Sequence, residues 1–330
     1  MGHFCKKKSL DNININPNTR KWHMHINKYN ISNTQEPQIG VSIVIPAYNE
    51  EKAIADTVAT CRKMLENFEA FEIIVVNDAS SDATAQIAQN AGARVIHHPV
   101  NGGYGRSIKD GIRAATYDTI VILDADGTYP IEDITKLLEK YFEGFDMVVG
   151  ARAGTHYIQS KFKSCLRSIL KFMVEWSCGK SIPDINSGFR VFSKNESLRF
   201  FNHLCDTFSF TTSLTLAYMM TGRFVGYVPT QYYPRIGSSH VRLFTDSLNT
   251  LNYVLRQILY FNPIKIFTLF AICWLLFGVF WFVCFTILHL LVGYYLGILS
   301  LFGACIMFGL GLLAEQIRQL ILSGEHNIKK

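Results

Sequence analysis

Between Ile266 and Ala314 the chain carries no Asp, Glu, Lys or Arg. A helix needs roughly 20 apolar residues to cross a bilayer core of ~30 Å, and this tract holds two such runs. One extends from Ile266 to about Leu288, the other from about Tyr294 to Ala314, with Gly293, Tyr294 and Tyr295 marking a turn and an aromatic interface anchor. The tract therefore predicts a helical hairpin in a membrane and confines any globular fold to the residues before it. It also explains why a chain of 330 residues is 49% hydrophobic and only 18% charged.

Ahead of the tract one unit recurs: a short β-branched run, a polar end, then a helical pattern. The strands read as Val41–Pro46, Phe71–Asp78, Ala93–His97, a run ending at Leu123 and Asp124, and Asp146–Gly150. Helical patterns follow to about Asn67, from about Asp82, to about Ala115, and over Ile131–Phe142. Strands alternating with helices imply right-handed crossovers and a mostly parallel sheet, an α/β fold. Polar residues gather where the strands end: Tyr48, Asn49 and Glu50, then Asp78, then Asp124 and Asp126, then Arg152. An open α/β sheet presents its ligand site at that rim. A polar turn after a core strand accounts for one such end, not four. Two carboxylates two residues apart, beside the breakers Gly127 and Pro130, suit a hard divalent cation that also holds substrate phosphates.

Other classes fit poorly. The net charge of +6 is modest and no basic stripe with interleaved aromatics appears, which argues against nucleic acid. The eight cysteines form no CxxC pair, so a reducing compartment fits better than a disulfide framework or a zinc site. Lys6, Lys7 and Lys8 are not followed by an apolar run, unlike a secretory signal. The loop Asn101–Gly105 lacks the third glycine of a dinucleotide fingerprint and follows the third strand instead of the first. Its glycines are expected to let backbone approach a ligand or another loop. His97 and His98 read as strand-end residues, not metal ligands.

The segments Val41–Glu50, Val75–Asp78 and Leu123–Asp126 resemble the signatures of inverting glycosyltransferase family 2, which has the GT-A nucleotide-sugar-binding fold. Asn101–Ile112, Asp184–Arg190 and Phe208–Thr212 are similar to segments of the polyprenyl-phosphate glycosyltransferases, the group with dolichol-phosphate mannose synthases and bacterial undecaprenyl-phosphate sugar transferases. The resemblance covers roughly residues 40 to 260. It implies that Pro46, Tyr48, Glu50 and Asp78, with Asp124, contact a UDP- or GDP-sugar. It also implies that Asp124 and Asp126 are the catalytic pair and hold Mg2+ or Mn2+. Thr128 stands where dolichol-phosphate mannose synthases often carry Gln, so a hydroxyl or a water would complete the metal shell.

Chemistry narrows the acceptor side. A sugar hydroxyl needs a general base, whereas a phosphate monoester, with a second pKa of about 6, is already anionic and needs cations to position it. Arginine does this as a bidentate fork. Arg152, Arg190 and Arg235, with the hydroxyl of Ser187, are the expected acceptor-phosphate contacts. His240 stands near a position where related sequences often carry Lys or Arg, which would make its contact weaker or pH-dependent.

These readings divide the chain into a polar N-terminal arm (1–38), a GT-A domain (39–242), a juxtamembrane interfacial helix (243–263), two transmembrane helices (264–316) and a tail (317–330). The arm is expected to be loosely ordered, lying along the membrane or a neighbouring subunit. Residues 160–176 read either as an interfacial helix or as an amphipathic core helix. Lys265 precedes the first span and Arg318, Lys329 and Lys330 follow the second, while the connection has no Lys or Arg. That asymmetry puts both ends and the catalytic domain in the cytoplasm. Uncharged spans read as an anchor and a homo-oligomer contact, not as an ion path. The expected function is a metal-dependent hexosyltransferase that moves one sugar from a nucleotide-sugar to undecaprenyl or dolichyl phosphate, giving a lipid-linked monosaccharide for cell-envelope glycans. A processive polysaccharide synthase is disfavoured by the missing Gln-x-x-Arg-Trp segment and the short tail. An inactive nucleotide-binding scaffold is disfavoured by retention of both aspartates.

Overall fold

The computed structural model describes residues 40–153, 171–235, 243–287 and 291–328, with side chains except at 243–250 and 321–328. The N-terminal arm, His240 and residues 160–170 of the expected interfacial helix lie outside the described residues. One seven-stranded sheet organises the rest, in the order β3-β2-β1-β4-β6-β5-β7. Its strands are β1 (Gly40–Ala47), β2 (Ala70–Asn77), β3 (Arg94–His97), β4 (Thr119–Ile122), β5 (Met147–Ala153), β6 (Arg190–Ser193) and β7 (Val225–Gln231). The helices are α1 (Ile54–Leu65), α2 (Thr84–Asn90), α3 (Tyr104–Ala114), α4 (Ile134–Phe142), α5 (Lys194–Leu198), α6 (Phe210–Met220), α7 (Leu243–Phe261), α8 (Pro263–Ile287) and α9 (Val292–Ile328).

All pairings are parallel except those of β6, which runs antiparallel to both β4 and β5. Two strands thus join the five expected ones. Arg152 lies inside β5, opposite Thr230 of β7, not after the strand. The strands are near-continuous apolar runs because both faces are covered. Alternate residues separate cleanly: Ile43, Ile45, Val75, Val121 and Val191 meet α1 and α4 through Ile54, Val58, Leu137 and Leu138. Val44, Ile74, Ile122 and Phe192 face α3 and α6 through Ile108, Ile112, Phe210 and Leu214.

A third cluster ties the C-terminal helices to this body. Val174, Ile182, Leu216, Met219, Val254, Ile258 and Ile266 bury together, from the helical residues 171–178 and the loop after them, α6, α7 and the start of α8. Residues 171–178 thus use one face as core, with Val174 buried and Phe172 67% exposed. Lys265 fastens the joint. Its Nζ donates to the carbonyls of Ser177 at 2.8 Å and Trp176 at 3.3 Å, the negative end of that helix. Beyond it α8 and the Val292–Leu320 stretch of α9 are long and apolar enough to cross a membrane. They pair while leaving Leu276, Phe280, Phe302 and Leu313 well exposed, a surface water would not tolerate at this extent. The helix does not stop at residue 316; α9 continues through an Arg318–Glu315 pair with Nε–Oε2 at 2.9 Å.

Candidate active site

The register decides what meets at the rim. Ala47 pairs with Asn77 and Val44 with Ile122, so the chain leaves the parallel strands β1, β2 and β4 at the same edge of the sheet. Because β6 runs the other way, its beginning lies at this rim, and the loop 184–189 is delivered there. The strand order reverses at β1 and β4, the place where such sheets open a crevice.

Two residues beyond Ala47 and Asn77, Asn49 and Ala79 both take left-handed backbone, with φ 56° and 59°. Asn adopts this region more readily than Ala because its side chain bonds locally. The two loops hold each other there. Asn49 N donates to Ser80 Oγ at 3.0 Å, Ser81 N to Asn49 Oδ1 at 2.8 Å, and Glu50 N to Thr84 Oγ1 at 2.8 Å. Glu50 is thereby fixed as a buried carboxylate whose Oε1 meets Arg235 Nη2.

Arg235 also approaches the aspartate pair, with Nη1 3.5 Å from Asp126 Oδ2. Thr128 donates to the other oxygen of Asp126, from its amide at 3.1 Å and its hydroxyl at 2.6 Å. Tyr104 OH donates to Asp124 Oδ1 at 2.7 Å. The Asp124 carboxylate rests on Gly188, where a Cβ would stand 2.4 Å from Oδ2, so no larger residue fits without moving it. Burial, and then the Asp126 charge, pushes Asp124 up to about 6 against the pull of the Tyr104 hydroxyl. Burial pushes Glu50 up to about 7, with Arg235 opposing and Asp126 adding. Three carboxylates are thus held closer than their charges favour, an arrangement that a cation relieves.

The expected acceptor-phosphate residues take different partners within the protein. Arg190 is fully buried. Its Nε and Nη2 donate to the carbonyls of Ser187 at 2.7 Å and Ile185 at 2.8 Å, and its Nη1 to Thr215 Oγ1 at 2.6 Å. Ser187 is also fully buried, with Oγ donating to Gly150 O at 2.6 Å. In this arrangement both are enclosed by the protein and frame the 184–189 loop. Arg152 forks onto Asp184 (Nε–Oδ2 2.7 Å, Nη2–Oδ1 2.9 Å) and lies over the Tyr232 ring at 5.4 Å. Burial alone would raise Asp184, but Arg152 outweighs it and holds the carboxyl below the usual range. Arg235 contacts Glu50 and Asp126, and both Arg235 and Arg152 act on Asp124 through charge.

On the donor side Pro46 pairs with Val76 within the sheet and Tyr48 is half-buried beyond it. Asp78 clamps the glycine loop: Oδ1 accepts from Gly102 N at 2.7 Å and Oδ2 from Gly103 N at 2.9 Å. Gly103 needs the freedom of glycine, with φ 92°. His98 sits between two carboxylates, Nδ1 2.7 Å from Asp78 Oδ1 and Nε2 3.3 Å from Asp110 Oδ2, so its place is structural. The glycines do bring backbone close to another loop, since Arg106 N donates to Asp206 O at 2.9 Å.

Among the described residues no three His, Cys, Asp or Glu side chains converge to hold a metal by themselves. The oxygen set still fits Mg2+ or Mn2+, which commonly take one or two carboxylates and complete their shells with water and substrate phosphates. The guanidinium seated on Glu50 and Asp126 shows directly that the cluster accepts positive charge. Thr128 turns its hydroxyl proton into Asp126, which makes it a support for that carboxylate in this arrangement.

Residues 42–199 match the model of glycosyl transferase family 2, and they span the sheet rim just described. The chain belongs to glycosyltransferase family 2. It is 31% identical over 208 residues to glycosyltransferase AglJ of Haloferax volcanii, covering 62% of this chain and 66% of that protein. It is 33% identical over 165 residues to the undecaprenyl-phosphate 4-deoxy-4-formamido-L-arabinose transferase of Pectobacterium atrosepticum, covering 47% and 49%. The matches thus span from just under half to just under two thirds of these relatives' lengths. The GT-A-like fold is shared with glucosyl-3-phosphoglycerate synthase from Mycobacterium tuberculosis in complex with phosphoglyceric acid (TM-score 0.56, 19% identity, 66% of this chain and 80% of that one). A structure of the same enzyme with Mn2+, UDP and glucosyl-3-phosphoglycerate gives a TM-score of 0.54 at 20% identity, over 66% of this chain and 80% of that one.

Within this family 2 domain, three site residues had no sequence signal of their own. Tyr104 reads as part of a glycine loop, Gly188 as one more turn glycine, and Asp184 as the start of a segment whose arginine drew attention. Each acquires its role from a partner 20 or more residues away: Tyr104 and Gly188 through Asp124, and Asp184 through Arg152.

Proposed function

We propose that this family 2 glycosyltransferase moves one hexose from a nucleotide-sugar to the phosphate of a polyprenyl phosphate, undecaprenyl or dolichyl, at the cytoplasmic face of the membrane. The observation that carries the reading is the union of two features in one body. A carboxylate cluster suited to a cation and a diphosphate lies at the sheet rim, and the same domain is fastened through Lys265 to an apolar helical hairpin. The relatives whose names include undecaprenyl phosphate support a lipid-phosphate acceptor, and the structural neighbour solved with Mn2+ and UDP supports a metal-assisted nucleotide donor.

In this reading Pro46, Tyr48, Glu50 and Asp78 shape the donor side, and Asp124 and Asp126 hold Mg2+ or Mn2+. A bound dication supplies charge neutralisation to the departing diphosphate. The chain's own residues prepare the site for it: Glu50 and Asp126 are held buried at the rim and Gly188 leaves room for Asp124. The acceptor is an anion before it arrives, so no general base is required. Glu50 and Asp126, which Arg235 contacts, would share their charge with a bound cation, and Arg235 and Arg152 would offer guanidinium groups to phosphate oxygens. The positive residues flanking the hairpin support the cytoplasmic orientation, and the division at about residues 242 and 263 follows where the sheet domain gives way to α7 and α8.

The test is transfer by the detergent-purified chain with Mn2+ or Mg2+, a panel of labelled UDP- and GDP-sugars, and undecaprenyl phosphate, with phosphoglyceric acid as soluble control acceptor. A lipid-linked sugar is expected with one donor class, and none from Asp126→Asn, which is nearly isosteric and keeps the fold. No lipid-linked product with any donor sinks the reading; a product on phosphoglyceric acid alone moves the enzyme to soluble acceptors.

A further inference from the structure

We propose that Tyr104 and Thr128 are positioning residues: a matched pair of hydroxyl donors that lock one oxygen of Asp124 and one of Asp126, so that each carboxylate enters ligand binding with its other oxygen. The proposal rests on the reading of the aspartates as the cation-binding pair.

The geometry is the same at both aspartates although the donors come from different elements. Tyr104, the first residue of α3, reaches Asp124 Oδ1 at 2.7 Å; Thr128, in the turn after β4, reaches Asp126 Oδ1 at 2.6 Å. Among the described residues these hydroxyls, with the Thr128 amide, provide the hydrogen bonds the pair receives, and Oδ2 of Asp126 faces Arg235 instead. An isolated aspartate side chain rotates broadly about its last torsion. A carboxylate with one oxygen fixed does not, and its plane is set before a ligand arrives. Partners outside the ligand shell that orient carboxylates in this way commonly govern metal affinity.

Tyr104 is itself anchored. It follows Gly102 and Gly103, whose amides are held by Asp78, and its ring leans on Phe208 with centroids 5.7 Å apart. The phenol therefore cannot drift without moving the glycine loop. This links Asp78 at the end of β2 to Asp124 at the end of β4 through one hydrogen-bonded path across β1. A phenylalanine at 104 keeps the ring contact and deletes only the bond to Asp124, so the substitution isolates the positioning role.

The experiment titrates Mn2+ alone into the detergent-solubilised full chain, following the free-ion spin-resonance signal, with thermal unfolding of each variant alongside. Tyr104→Phe is expected to weaken Mn2+ binding by about ten-fold while unfolding stays near wild type. Thr128→Val is expected to weaken binding in the same direction, and Thr128→Ser, which restores a hydroxyl, to recover it. Asp126→Asn serves as the control for the underlying reading and is expected to abolish binding. If Asp126→Asn loses Mn2+ but Tyr104→Phe and Thr128→Val bind as tightly as wild type, the positioning proposal is overturned and the cation reading stands. If wild type fails to bind, or Asp126→Asn binds like wild type, the cation reading fails and the proposal falls with it.

Discussion

Arg235 shows how a residue's type can be legible while its place is not. As an arginine near the end of the domain it reads as an anion contact, yet here it bridges Glu50 and Asp126. A guanidinium on a carboxylate cluster competes with a dication for the same oxygens. Arg235→Gln is therefore expected to tighten binding of Mn2+ alone several-fold while slowing sugar transfer, because the cation that would meet the phosphates is gone. Weaker or unchanged Mn2+ binding in a calorimetric titration would refute the competition. Protons compete at the same place. Asp124 and Glu50 are raised to about 6 and about 7, so both are protonated below those values and the cluster loses charge. Mn2+ affinity should rise from about pH 5.5 to about pH 7.5, measured at constant ionic strength; a flat profile would exclude these two carboxylates. Stability has the opposite sign. Raised folded-state values mean that the contribution of these groups is complete below about 4, where the unfolded carboxyls titrate, and is lost as pH climbs through 6 and 7. Bound cation should restore it. By contrast, Arg190 and Ser187 could not be placed from sequence, because nothing in a local segment distinguishes a guanidinium that faces a ligand from one that holds three backbone and hydroxyl acceptors.

At the scale of elements, the five strands β1 to β5 and the helices between them are readable, since apolar runs with polar ends recur with one period. The two missed strands have physical reasons. β6 has four residues, begins with a charged Arg190 and follows a long excursion, so no alternation announces it. β7 contains Gly226 and Pro229, both weak strand formers, and is held by its seven-residue parallel register with β5. Missing β6 meant missing the delivery of Gly188 to the rim, and with it the seat of Asp124. Gly188→Ala tests that seat. Its added carbon would stand 2.4 Å from the Asp124 carboxylate, so either the loop or the aspartate must shift. The expected result is a loss of transfer of more than ~10-fold, with a stability cost of about 1–3 kcal/mol by thermal unfolding. Wild-type activity in this variant would show that Asp124 does not need its present position.

At the scale of the whole molecule, the apolar tract is evident from composition, but its attachment is not. Sequence places Lys265 as one more positive residue at a membrane boundary; the structure puts its ammonium on the carbonyls of Trp176 and Ser177 and 6.0 Å over the Trp176 ring. The catalytic body and the hairpin are therefore joined by a specific polar contact beside a buried apolar cluster that includes Ile266, Val254 and Val174. A cation at a helix C-terminus in a partly buried setting contributes about 1 kcal/mol, too little to hold the fold but enough to bias how the sheet rim stands relative to the spans. Lys265→Met retains an unbranched apolar stem and deletes the charge. Mn2+ binding at the rim, more than an element away, should be unchanged, because the side chain at this position touches none of the carboxylates there. Transfer to undecaprenyl phosphate in bilayers should fall, because the acceptor phosphate is fixed in height by the membrane and the rim must be held to meet it. Short-chain acceptor free in detergent solution should be used nearly as well as by wild type, since no membrane then sets its height. Equal losses on both acceptors would mean that Lys265 supports the domain's own fold; no loss on either would mean that the apolar cluster alone sets the geometry.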